Sequence, residues 1–159
     1  MTTKAPALID WLVSAFQASA ALGQATPPVT VYDGPNTTGL DPFLKLYVGL
    51  TDPDNEDTPQ AAATLTQTRD DLGNAARTEV SEIHCCAEAW SGTDDIAAVR
   101  HAVAAIVAAA EVIVRSDATQ FGGLGQAAPG LAAAELLQNN TTAGAIARIP
   151  FSISFTSFT

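Results

Sequence analysis

Basic residues are scarce in this sequence: seven Lys and Arg stand against seventeen Asp and Glu, for a formal net charge of -10. Such a surface repels phosphate backbones, which argues against tight nucleic-acid binding, yet a negative wall lets a polyanion slide past without sticking. Sulfur and imidazole are scarcer still, with two Cys and two His. His84, Cys85, Cys86 and His101 match the count of a structural zinc site. Neighbouring strand residues point to opposite faces, however, and the usual spacer between zinc-binding cysteines is missing. Adjacent cysteines also place their Cα atoms ~3.8 Å apart, below the usual disulfide range. Two reduced thiols, no metal and no cofactor are therefore expected. The N-terminus has no apolar run with a small-residue cleavage site, so no signal peptide is expected. The longest apolar stretch, Ala102 to Val114, spans thirteen residues and carries Glu111. That falls short of the ~20 needed to cross a bilayer, and no transmembrane helix is expected. Without a secretory signal, the glycosylation-like matches at Asn36-Thr37-Thr38 and Asn139-Asn140-Thr141-Thr142 carry no meaning. Gly-x-Ser-x-Gly, phosphate-binding loop and His-Glu-x-x-His patterns are all missing, so no catalytic residues are assigned and no enzyme is expected.

Four clusters invite a chemical reading and fail it on detail. Asp52, Asp54, Glu56 and Asp57 alternate like calcium ligands, but the sixth position is Asp57 where a tight turn needs Gly, and the twelfth is Ala63 where a bidentate Glu is required. Gly123-Leu124-Gly125-Gln126-Ala127-Ala128 loosely matches a dinucleotide fingerprint, yet it follows a helix instead of a strand and runs into Pro129-Gly130, so a linker is expected. Asp94 with Asp95, and Asp70 with Asp71, have no feature that would separate their pKa values for acid and base work.

What is present is apolar. Hydrophobic residues make up 47% and charged residues 15% of the 159 residues, a composition that folds, at a length that suits a single domain over 1-159. Much of this is alanine, which buries little area, so the core must come from scattered Val, Ile, Leu, Phe and Trp. From about Pro6 to Leu22, residues Leu8, Leu12, Ala15, Phe16 and Leu22 fall near one helical face, and Gly23 stops the helix. Val29-Thr30-Val31-Tyr32 predicts a strand ending in the turn Asp33-Gly34-Pro35, and the alternation from Phe43 to Leu50 predicts a second. Thr51 to Pro59 is acidic and Pro-rich, as in a solvated loop, and Ala61 to Leu72 fits either a strand or a short helix. From Arg77 to Trp90 a long strand is predicted, with Ile83, Cys85, Ala87 and Ala89 on one side and Glu82, His84, Cys86, Glu88 and Trp90 on the other. Ser91-Gly92-Thr93-Asp94-Asp95 is a helix start, with Ser91 or Thr93 as cap and the aspartates at the positive end of the dipole. This helix runs to about Val114 with the stripe Ile96, Val99, Val103, Ile106, Val107, Ala110 and Ile113. A Gly-rich connection, Phe121 to Gly130, follows. Ile149, Phe151, Ile153 and Phe155 then alternate with polar residues in a terminal strand, whose burial contributes up to ~6–12 kcal/mol. The order predicts an α+β fold: an antiparallel or mixed β-sheet of about four to five strands, with an N-terminal helix and a long central helix packed on one face. There is no internal repeat, and the lack of β-α-β alternation disfavours a dinucleotide-binding sheet.

These elements in this order resemble the tail terminators of long-tailed bacteriophages, the family that caps the tail tube and joins it to the head. The similarity lies in the N-terminal helix, Val29-Thr30-Val31-Tyr32-Asp33-Gly34-Pro35, the strand ending Leu50-Thr51-Asp52-Pro53, the strand Arg77 to Trp90 followed by Gly92-Thr93-Asp94-Asp95 and a helix, and the terminal strand Ile149 to Phe158. It spans nearly the whole chain but contains no catalytic signature, and neighbouring neck and tail-completion families share much of it. The resemblance implies a virion protein of the tail-neck region, made in the host cytoplasm. It would assemble as a homo-oligomer, a hexameric ring, with tail tube protein and a head connector or stopper protein as partners, no membrane, and DNA passing through the lumen without specific binding. On such a subunit the acidic loop Thr51 to Gln60, with Asp52, Asp54, Glu56 and Asp57, is the candidate assembly contact, because it is long and unusual in composition for a link between strands. Other classes compatible with the pattern are a non-phage oligomeric adaptor and a small-molecule-binding α+β domain, the latter with a pocket between helix and sheet near His84, Glu88 and Trp90.

Overall fold

The computed structural model describes residues 2–69, 77–127 and 131–158. Its helices are α1 (Ala5–Gln17), α2 (Ala20–Gly23), α3 (Ile96–Ser116) and the single turn α4 (Gln120–Gly123), and its strands are β1 (Val29–Asp33), β2 (Leu44–Val48), β3 (Ala63–Arg69), β4 (Arg77–Ser91), β5 (Gln126–Ala127), β6 (Ala132–Ala134), β7 (Leu137–Thr141) and β8 (Gly144–Phe158). Two long antiparallel strands form the spine, β4 against β8, in register from Thr78↔Phe158 to Ser91↔Ala145. On the other side of β4 lie β2 and β3, and β1 pairs parallel with β2. Along the outer side of β8 run β5, β6 and β7 in turn. The sheet is therefore mixed and the fold is α+β, as expected. Among the described residues eight strand segments build it where about four to five strands were expected, because single long strands are flanked by several short ones.

The two-residue period of the strands sorts their side chains by face. Leu46, Val48, Ile83, Cys85, Ala87, Ala89, Ala145, Ala147, Phe151, Ile153 and Phe155 are buried in one core with Leu8, Leu12 and Phe16 of α1 and Val99, Val103, Ile106, Ala110 and Val114 of α3. Both long helices thus cover one face of the sheet. Of the four terminal-strand side chains expected inside, Phe151, Ile153 and Phe155 are buried and Ile149 is half-buried. Three buried side chains of that size stabilise the fold by roughly 4–9 kcal/mol, an upper estimate. Phe121 is wedged between Trp11 and Phe155, edge to face, with centroids 4.7 and 4.8 Å away. It reaches there from the left-handed region, φ 56°, held by Asp117 Oδ2, which accepts from its backbone N–H at 2.7 Å.

Several sequence expectations change in detail. The N-terminal helix is two helices, broken after Gln17, where Ala18 caps α1 and Ser19 is extended. Ala61 to Leu72 contains strand β3 over Ala63–Arg69, and residues 70–72 lie outside the described residues, as does the Asp70–Asp71 pair. The cap of α3 is neither Ser91 nor Thr93: Asp95 accepts from the Ala98 N–H at 3.0 Å. Over its 21 residues α3 is also long and apolar enough, by length and composition alone, to cross a membrane, because residues 96–99 continue the apolar composition beyond the interrupting Arg100 and His101. One face of it packs on the sheet.

Candidate functional site

The face of the sheet turned away from the helices carries the polar members of the same strands. Lys45 on β2 stands opposite Glu88 on β4, and Glu88 stands opposite Arg148 on β8. The pairing register therefore lays a positive, a negative and a positive side chain in one row across three strands. Glu88 Oε1 accepts from Lys45 Nζ at 3.0 Å and Glu88 Oε2 accepts from Arg148 Nε at 2.5 Å. The row is inside the molecule: the side chains of Lys45, Glu88 and Arg148 are 6%, 4% and 18% exposed. A buried charge needs partners on every side, and two exposed aspartates provide them at the ends. Asp41 pairs with Lys45. Asp54 takes both terminal nitrogens of Arg148, at 2.5 and 2.7 Å, in a forked pair.

Electrostatics follow from this geometry. Burial works to lower the Lys45 pKa, but the hydrogen bond it donates to Asp41 and the charge of Glu88 outweigh it, so the ammonium is held above its ordinary range. Hydrogen bonding to Asp54, with the charge of Glu88, likewise raises Arg148. Arg148 in turn holds Asp54 below the usual carboxylate range. Beside the row, Tyr32 and Tyr47 stack at 5.3 Å and close a small buried cluster with Leu50 and Cys86. Burial first, and Glu88 second, push the Tyr47 phenol well above its usual value.

Above the row opens a cleft of about 770 Å³, walled by the 36–41 loop, the acidic loop and the β7–β8 hairpin, with Lys45, Glu88 and Arg148 on its floor. Its lining includes Asp41, Asp54, Glu56 and Glu88 against Lys45 and Arg148. At its rim Leu40 and Leu137 are 69% and 50% exposed.

The residues singled out in the sequence fall as follows. Asp52 caps the single 3-10 turn Pro53–Asn55, accepting from the Asp54 N–H. Asp54 binds Arg148, Glu56 accepts from the Asn36 N–H at 3.1 Å, and Asp57 is exposed. Gln60 ties the loop's two ends, its Oε1 accepting from Thr51 and Asp52 N–H and its Nε2 donating to the Asp52 and Asn55 carbonyls. The acidic loop is thus folded across the sheet and fastened on β8. Glu88 and Trp90 do line the cleft, but it lies on the sheet face opposite the helices, not between helix and sheet, and His84 is outside its lining. Instead His84 Nε2 meets Thr64 Oγ1 at 2.9 Å. Cys85 faces the helices, Cys86 faces the tyrosines, and His101 is exposed on α3, so these four are not brought together. Lys45, Asp41 and Arg148 were not singled out. For Lys45 and Arg148 the sequence signal is a charge within an otherwise apolar or small-residue strand; Asp41 lies in the loop before β2 and has no such signal. No protein-family model and no curated protein matches this chain.

Proposed function

We propose that the chain is a structural subunit of a phage virion, of the tail-terminator type: copies close into a hexameric ring that caps the tail tube, ends its polymerisation and presents a surface to the head connector. The observation that carries the reading is the outer edge of the sheet. All five residues of β7 are exposed, none is charged, Leu137 among them is 50% exposed and Leu136 beside them 47%. Natural sheets usually guard a free edge with charge. In a chain of net charge -10, an uncharged edge with exposed leucines is where a second protein chain can approach against the least repulsion. The buried ion row fits the same reading, because its charged groups are consumed in holding strands and loop together. The tail role itself rests on the resemblance in element order. In this ring the acidic loop with Asp52, Asp54, Glu56 and Asp57 is a contact between subunits.

Adding the purified chain to polymerising tail-tube protein tests the role. Tubes are expected to stop growing and to carry a terminal ring in negative-stain images, whereas unaltered elongation would refute it. One observation favours a second reading, a small-molecule-binding domain: the cleft is large enough for a drug-sized ligand. A thermal-shift screen separates the two, since a reproducible rise in midpoint abolished by Trp90→Ala belongs only to the second.

A further inference from the structure

We propose that the cleft above the ion row is a socket for a segment of a partner protein, one that carries an Arg or Lys between apolar side chains. The socket is independent of the ring: Asn55 and Asp57 of the acidic loop are exposed outside its lining and stay open to a neighbouring copy.

Charge, fixed geometry and shape carry this. The carboxylates of Asp41, Asp54, Glu56 and Glu88 line the cleft against Lys45 and Arg148. The row consumes both cations and leaves an excess of two negative charges in a space of about 770 Å³. Two of the four acids also have acceptor capacity to spare. Asp41 engages Lys45 through Oδ1 and Glu56 engages the Asn36 N–H through Oε1, while among the described residues the second oxygen of each receives no hydrogen bond. Those bonds hold the two carboxylates in place on the 36–41 loop and the acidic loop, and Asn36 stiffens the first of these by donating from Nδ2 to the Leu40 carbonyl at 2.6 Å. An ammonium or guanidinium entering between the walls gains charge-assisted hydrogen bonds without breaking the row. The rest of the lining is apolar or neutral. Trp90 is anchored through Nε1, which donates to the Pro42 carbonyl at 3.0 Å, and it packs on the exposed Phe43 with centroids 4.7 Å apart. Aromatic rings and carboxylates attract the same group, a cation. Leu40 and Leu137, both well exposed in the lining, offer surface that apolar neighbours of the basic residue cover and a bare inorganic cation leaves wet. The field of the whole chain acts in the same sense, since a body of net charge -10 draws basic segments and repels acidic ones.

Titration with a capped Leu-Arg-Leu peptide, followed at the indole N–H signals in NMR spectra, tests it. The chain has two tryptophans. Trp90 lines the cleft and Trp11 packs against Phe121 on the helix face, so one reports and the other serves as control. The peptide is expected to shift the Trp90 signal, assigned through Trp90→Phe, in a saturable way and to leave the Trp11 signal in place. Its citrulline counterpart, equal in shape and uncharged, is expected to bind about tenfold more weakly at low salt, and so is the Arg peptide to the double variant Asp41→Asn, Glu56→Gln. Both replacements keep an amide oxygen for Lys45 and for the Asn36 N–H, and an unchanged Trp11 signal shows that the variant is folded. Equal affinity of the Arg and citrulline peptides, or of the wild type and the variant, overturns the role of the cation. Ethylguanidinium binding as tightly as the peptide overturns the protein segment in favour of a small ligand. A Trp90 signal that stays in place at millimolar peptide overturns the socket altogether and leaves the ring reading untouched.

Discussion

Glu79 shows how one buried charge can be satisfied by neutral donors. It is fully buried on the helix face of β4, and Thr3 Oγ1, Lys4 N–H, Gln67 Nε2 and Ser81 Oγ all donate to it. Burial works to raise its pKa, but these hydrogen bonds outweigh it and hold the carboxyl below its ordinary 4.5. A depressed carboxyl contributes stability that is present above the unfolded value and lost as pH falls through the folded one. Glu79→Gln is therefore expected to cost roughly 1–2 kcal/mol at pH 7, with the gap to wild type closing below about pH 4.5 in urea titrations. A gap that stays constant down to pH 3 would show that the charge contributes nothing. The cysteines make a simpler case. Burial pushes the Cys86 thiol up to about 12 and the Cys85 thiol higher still, and the thiolate is the reactive form. Neither is expected to react with a disulfide reagent at pH 8 until urea unfolds the chain; prompt reaction of the native protein would contradict their placement. Of these residue-scale features the sequence showed only part. The opposed facing of Cys85 and Cys86 follows from strand periodicity, whereas the row Lys45–Glu88–Arg148 depends on the register of strands far apart in the chain, which no local pattern encodes.

At the scale of elements, legibility followed burial. β4, β8 and α3 each bury one face and leave a two- or three-four-residue trace, so β4 and α3 were readable to within two residues, while β8 was read from Ile149 and begins five residues earlier, at Gly144. β7 buries neither face and has no alternation to read, and in β3 only every second residue is partly covered, which left its helix or strand character open. At the start of α3 the expected caps were Ser91 or Thr93; Asp95 takes the role because the chain turns into the helix only there. The hairpin joining β7 to β8 has one indispensable position. Gly144 adopts φ +126°, and a Cβ there would lie 1.8 Å from the Ser91 carbonyl oxygen, where β8 begins to pair with the end of β4. Gly144→Ala is expected to destabilise the fold by about 2–3 kcal/mol. Gly92→Ala, whose Cβ meets open space, is expected to stay within about 0.5 kcal/mol. Equal denaturant midpoints for the two variants would contradict the close approach of hairpin and strand.

For the whole molecule, the consequence of this arrangement is a division between faces. The helix face carries the main apolar core and the opposite face carries paired charge, while β7 at the outer edge of the sheet has no charged residue and is exposed throughout. The exposed β7 edge is what supports the proposed contact between copies, and the ring itself rests on the resemblance in element order. Sedimentation velocity of the purified chain, alone and with tail-tube protein, tests it most directly. A discrete species of about six times the 16.3 kDa subunit mass is expected, at the latest when tubes are present. A monomer in both samples across the concentration series would contradict it.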